Sequence, residues 1–237
     1  MDPQIRRLDD ADTPAVAGHA AAAIPERPAR KVANGRKQRS IAHRLPVAWL
    51  GRSVPYESRL EADLVMVMAA DADVTGIWSQ PETFRWRAEG RLRRYTPDFL
   101  ITTYYGPVYR EVKPIDVLVR DPTLGGRLEA IRGQCACRGA RFEIWTEIDI
   151  RAEPRFANAR AVHFAPHPGR DRAVAASLRE AVSDLVGSAP ASLLLSRAGL
   201  ASGNLGDLLA LVAVGDAVIV DMERGIGPDT LIGRGRR

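Results

Sequence analysis

Residues 95–114, YTPDFLITTYYGPVYREVKP, read as two short strands joined by a tight turn. Ile101, Thr102, Thr103, Tyr104 and Tyr105 suit a pleated surface, as do Val108 and Tyr109 beyond the Gly106-Pro107 break. A turn centred on Tyr105-Gly106 puts Asp98 opposite Lys113. Side chains alternate along a strand, so Glu111 and Lys113 share one face, and their cross-strand partners share it too. Two carboxylates and one amine then meet at one end of the hairpin. A slip of one residue would turn Asp98 to the other face, so the reading depends on the turn.

Converging like charges are costly unless something neutralises them. A hard divalent cation does so, and Mg²⁺ typically takes one or two protein carboxylates together with phosphate oxygens. The lysine is informative too. The chain has 34 Lys plus Arg, yet its lysines are Lys31, Lys37 and Lys113 alone. An ammonium can be tuned to orient or deprotonate water, whereas a guanidinium cannot give up its proton. Lysine at 113 therefore suggests a task that arginine would do badly.

Pro97-Asp98 followed by Glu111-Val112-Lys113 is the PD…(D/E)xK pattern of restriction-endonuclease-like nucleases. Its flanks sharpen the likeness. YESRLEADL at 56–64, Gln80-Pro81, YTPDFL at 95–100, EVKP at 111–114 and FEIWTE at 142–147 together resemble the N-terminal nuclease domain of the TnsA family of transposon-end endonucleases, over about residues 54–150. The resemblance implies a restriction-endonuclease-like α/β fold, a mixed sheet flanked by helices. It implies a subunit of a heteromeric transposase that cuts double-stranded DNA with Mg²⁺, for which Mn²⁺ can substitute, leaving a 3′-hydroxyl and a 5′-phosphate. A DDE transposase and an AAA+ regulator are the implied partners. In that scheme Asp98, Glu111 and the main-chain carbonyl of Val112 hold the metal, Glu61 assists directly or through water, and Lys113 orients or deprotonates the attacking water. The alternatives are a stand-alone nuclease of repair or restriction type and a non-catalytic DNA-binding or adaptor subunit.

The helix carboxylate comes from 56–70, where Leu60, Leu64, Val67 and Met68 follow the spacing of a buried helical face. Glu61 borders that face, and the Ser58–Glu61 string matches the family's helix carboxylate. Glu57, one turn earlier on the same side, is the alternative.

Between this helix and the central hairpin, Val74–Gln80 reads as a strand closed by Pro81. Thr83–Arg87 and Arg91–Thr96 then form a second hairpin around Glu89-Gly90. Arg85, Arg87, Arg91, Arg93 and Arg94 make it strongly basic, with Arg85 and Arg87 on the face opposite Phe84 and Trp86. They are candidate phosphate contacts that would position DNA without reading its sequence. Gln80 is a weaker candidate for bonding near the site.

After Pro114, residues 115–119 read as a transition. Leu124–Arg138 reads as a helix with Leu128, Ile131 and Cys135 along one stripe, and Arg141–Trp145 as a strand, the crossover of a mixed sheet. A bridge between Cys135 and Cys137 would be strained, and C-x-C with His163 and His167 is poor zinc spacing, so both cysteines read as structural. Cysteine usage suits a reduced, cytoplasmic compartment.

At 237 residues and 46% hydrophobic content the chain can fill a core, and its formal charge of +5 suits a polyanionic partner. No apolar run reaches the ~18 residues of a membrane span, and the alanine-rich 15–23 segment does not read as a signal peptide. Residues 1–45, poor in large apolar side chains, read as a disordered basic arm. Residues 46–150 form the expected nuclease domain and 151–170 a proline- and arginine-rich linker. Residues 171–237 read as a small winged-helix-like domain, three short helices and a hairpin around 224–228. Asn204–Val214, its third helix, contains no Lys or Arg, which favours protein docking over base reading.

Overall fold

The computed structural model describes residues 43–88, 90–120 and 124–235; most of the basic arm lies outside the described residues. Strand β1 (His43–Val47) pairs antiparallel with β2 (Arg52–Tyr56), so the last residues assigned to the arm, 43–45, lie in a strand. The turn between them closes at Gly51, whose φ of 65° suits glycine. Trp49 anchors this hairpin by donating from Nε1 to the Ala69 carbonyl at 2.9 Å.

Helix α1 (Arg59–Ala70) starts later than Tyr56, because Ser58 stays extended and caps it, accepting from the Glu61 N–H. Its residues from Ala62 to Met68 are all buried. The apolar spacing gave one buried stripe, but the helix is covered on two sides, as an almost continuously apolar run requires. Asp63, within that run, is satisfied by Arg151, 2.7 Å away.

The central sheet contains β3 (Val74–Ser79), β6 (Phe99–Thr103), β7 (Gly106–Val112) and β8 (Arg141–Trp145), in that spatial order. The pairs β3–β6 and β6–β7 are antiparallel, and β7–β8 is parallel. Between β3 and β6, strands β4 (Phe84–Ala88) and β5 (Arg91–Tyr95) form a separate hairpin, as the turn at Glu89-Gly90 predicts. The parallel crossover runs through α2 (Ile115–Arg120) and α3 (Leu124–Ala136). Residues 115–119, expected as a transition, are thus helical. None of the α2 side chains is buried, so there was no apolar stripe to betray it.

Alternation along the strands divides the core between two faces. Phe99, Ile101 and Val112 join α1 in the larger cluster. Leu100 and Tyr109 pack with Phe84, Ile131 and Cys135 on the other, under α3 and the arginine hairpin. The result is a mixed sheet flanked by helices.

Next come α4 (Glu147–Ile150) and α5 (Arg155–His163), then α6 (Arg172–Ser183), β9 (Ser188–Pro190), α7 (Ala191–Arg197), α8 (Leu205–Val214), β10 (Ala217–Ile219) and β11 (Leu231–Arg234). The three strands pair in the order β10-β11-β9. The 151–170 segment is not the open linker its prolines and arginines suggested. It carries α5, whose Ala159 and Val162 are buried in the same cluster as Leu64 of α1 and Leu208 of α8. One continuous core therefore runs from the central sheet into the C-terminal helices.

A polar clamp reinforces that junction. Asn158, buried in α5, donates from Nδ2 to the carbonyls of Met222 and Arg224 and accepts from the Ile226 N–H. The β10–β11 loop is thereby tied to α5. Arg155 adds an ion pair to Glu223 at 3.2 Å. Among the described residues, no helix is long and apolar enough to cross a membrane.

Candidate active site

The central hairpin turns at Tyr104-Tyr105, with Thr103 paired to Gly106 and Phe99 to Arg110. Tyr104 and Tyr105 are exposed rather than pleated, and Gly106-Pro107 opens β7 instead of breaking it. Gly106 takes a φ of 110°, a value that bulkier residues resist. Compared with a turn at Tyr105-Gly106, the register moves by two residues, and continuing it places Asp98 opposite Glu111 rather than Lys113. A shift of two leaves every side chain on its face. Asp98, Glu111 and Lys113 therefore still converge.

Asp98 sits just before β6 and accepts the Val112 N–H at 2.8 Å, which fixes its carboxyl against the end of β7. Its carbonyl accepts the Gln80 N–H at 2.7 Å. Gln80 is buried with a φ of 46°, a conformation uncommon outside glycine, and its Oε1 has no hydrogen-bond partner. Strain and an orphaned oxygen beside the Asp98 backbone give Gln80 more weight than a strand end requires.

Glu111 is 6% exposed and held at both oxygens. Lys113 Nζ lies 2.7 Å from Oε1, and the Tyr95 hydroxyl donates to Oε2 at 2.5 Å. Tyr95 comes from β5, so the arginine hairpin supports the carboxylate. Sequence reasoning missed this residue, because a tyrosine ending a basic strand carries no local mark of its partner.

Burial, then the charge of Glu111, pushes the Asp98 carboxyl up to about 8. Glu61, at the first turn of α1, is also raised, chiefly by burial, with Glu57 and Glu111 adding to it. Its carboxylate accepts the Glu57 N–H at 2.9 Å and the Ser58 hydroxyl at 3.0 Å. Glu61 is thus the helix carboxylate that feels the site, while Glu57 is exposed. Burial alone would lower Lys113, but Glu111, followed by Asp98, outweighs it and leaves the ammonium above its ordinary value.

Asp98, Glu111 and Glu61 together offer a hard-oxygen donor set, with Asp98 and Glu61 both raised by burial and by the neighbouring Glu111 charge. Among the described residues no three His, Cys, Asp or Glu side chains form a ready-made metal cage. Mg²⁺ needs no such cage, because waters and substrate oxygens complete its shell around one or two carboxylates. The Asp98–Glu111 pair fits that requirement. Cys135 is buried with its thiol pushed up to about 12 by burial, which suits packing rather than ligation.

The five arginines of the β4–β5 hairpin are all exposed but do not act as one group. Arg85 pairs directly with Arg94, and Arg87 with Leu92, on one face. Arg93 opposite Trp86 and Arg91 opposite Ala88 lie on the other. A shallow cleft on this hairpin is lined by Thr83, Arg85, Arg94, Tyr95 and Thr96.

Residues 71–147 match the family model described as TnsA-like endonuclease N terminal. The match covers less than half of the chain. It spans Gln80, Asp98, Glu111 and Lys113 but stops short of α1, so Glu61 rests on the geometry alone. No curated protein matches the chain.

Proposed function

Since residues 71–147 belong to the TnsA-like endonuclease N-terminal family, we propose that this protein is a metal-dependent DNA endonuclease acting as one subunit of a heteromeric transposase. The observation that carries the chemistry is the convergence of Asp98, Glu111 and Lys113 at the hairpin end. Asp98, Glu111 and the Val112 carbonyl would hold Mg²⁺, with Glu61 assisting directly or through water. A bound divalent cation supplies charge that polarises the scissile phosphate and acidifies a water. Lys113, kept protonated by its carboxylate neighbours, suits orientation of that water and neutralisation of phosphate charge better than proton abstraction. Hydrolysis would leave a 3′-hydroxyl and a 5′-phosphate.

The C-terminal succession α6-β9-α7-α8-β10-β11 supports a winged-helix-like reading of residues 171–237. Base reading is disfavoured twice over. Leu208–Val212 of α8 are buried, and the β10–β11 loop is held by Asn158. Protein docking is the better use of this module, and a DDE transposase and an AAA+ regulator are the partners proposed.

Strand cleavage of a transposon-end duplex tests the reading, with and without Mg²⁺ and with candidate partners present or absent. The wild type should cut only with the cation, while Asp98→Ala should lose cutting and keep its fold. Nicking by the folded Asp98→Ala protein at the wild-type rate would remove Asp98 from the site.

A further inference from the structure

We propose that the Arg85–Arg94 pair, with the hydroxyls of Thr83 and Thr96, forms a subsite for one backbone phosphate of the bound duplex. The inference rests on the DNA-endonuclease reading and deepens it, because it picks two of the five arginines. Like charges directly opposite each other on adjacent strands are destabilising. Arg85 and Arg94 are such a pair, both exposed, and neither guanidinium has an acidic partner among the described residues. An anion between them removes the conflict. A phosphodiester suits it, since guanidinium forks match phosphate oxygens and the one Thr hydroxyl proton left over from the Thr83–Thr96 bond can donate beside them.

The cleft gives this pair a defined place. Arg85 and Arg94 line it along with Thr83, Tyr95 and Thr96. Thr83 and Thr96 hydroxyls are 2.8 Å apart, so a shared hydrogen bond already holds them together at the cleft wall. Tyr95 also borders the cleft, while alternation carries its ring to the opposite face of the hairpin, beside Phe84, where its hydroxyl donates to Glu111. Arg91 and Arg93 face the other way, and Arg87 stands across from Leu92 outside the cleft. Because the Tyr95 hydroxyl ties this hairpin to Glu111, a strand held in the cleft is kept in a set position relative to the carboxylates, without any base being read.

The test compares three double variants on the full-length chain: Arg85→Ala with Arg94→Ala, Arg87→Ala with Arg91→Ala, and Arg85→Lys with Arg94→Lys. Duplex binding is titrated over a salt series without divalent cation, and cleavage is measured at saturating DNA with Mg²⁺. Neutralising one phosphate contributes about 0.9 to the slope of log affinity against log salt. The cleft alanine pair should lose about one unit of that slope and lower the saturating cleavage rate roughly 10-fold or more, whereas the charge-matched hairpin pair should cost less on both measures. The lysine pair should restore the slope, since the slope counts charge. Equal losses from the two alanine pairs would overturn the subsite, leaving only diffuse attraction. A wild type that binds no duplex even at low salt would overturn the DNA reading itself, and the subsite with it.

Discussion

Tyr95 and Glu111 belong to different hairpins, yet the phenol of one donates to the carboxylate of the other at 2.5 Å. Lys113 holds the second oxygen, so Glu111 is aimed by two donors of different origin. Burial, with Glu111 beside it, holds the Tyr95 hydroxyl far above its ordinary value, so it remains a donor throughout the physiological range.

Tyr95→Phe should therefore act on the position of Glu111 rather than on DNA affinity. Removing one donor to a buried acceptor costs about 1–3 kcal/mol. The expected result is a fall of roughly 10-fold in the cleavage rate at saturating DNA, with binding unchanged within a few-fold. Equal losses in rate and affinity would point to a contact with the nucleic acid instead.

Lys113→Arg keeps the charge and nearly the reach. A lysine that only attracts DNA should tolerate it. One that orients water within a fitted site should not, because the guanidinium is bulkier and spreads its charge. Cleavage should drop at least about 100-fold, within the range of positioned proton-transfer groups, while affinity holds within a few-fold. Near-normal cutting would return Lys113 to a surface charge.

Asp98 also makes metal-free stability depend on pH. Its folded value of about 8 lies above the ordinary 3.8, so the folded protein holds a proton that the unfolded chain releases. Stability from this group is fully present below about 4 and is lost as pH rises towards 8. The melting temperature without divalent cation should fall across that window, and Asp98→Asn should flatten the fall. Added Mg²⁺ should recover most of the loss at pH 8, because it binds the ionised form. A profile identical in wild type and Asp98→Asn would count against a buried, charge-crowded carboxyl.

Asn158→Ala should be costly although it lies in a stretch rich in loop-forming residues. It strands two carbonyls and one N–H of the 222–226 segment. A loss of roughly 1–3 kcal/mol is expected from urea unfolding, with cleavage chemistry little changed per folded molecule. A change under about 0.5 kcal/mol, typical of surface positions, would mean that the clamp is replaceable by water.

Much of the central sheet was legible because its signals are local. Val74–Ser79 and Arg141–Trp145 are where alternation and flanking turns place them, and Leu128, Ile131 and Cys135 mark the buried side of α3. The shared facing of Asp98, Glu111 and Lys113 outlasted a misplaced turn, since an even displacement preserves facing. Other features depend on distant chain. Helix α1 looked one-sided because its second cover, α5 and the C-terminal helices, starts more than eighty residues later. Helix α5 was hidden by its short length and by prolines on either side. Tyr95 and Asn158 become informative only once their partners are known. Which of Glu57 and Glu61 faces the carboxylates was likewise undecided by spacing, and it turned on Ser58 starting the helix.

The continuous core and the Asn158 clamp also have a consequence for where a cut falls. The candidate metal carboxylates and the C-terminal helices are carried on one continuous core. A transposase subunit seated on those helices would therefore carry the blade at a set offset from its own grip on the DNA. The protein would work as a caliper, and the spacing between a transposon end and its nick would be written in the packing of α1, α5 and α8 rather than in any base the nuclease touches.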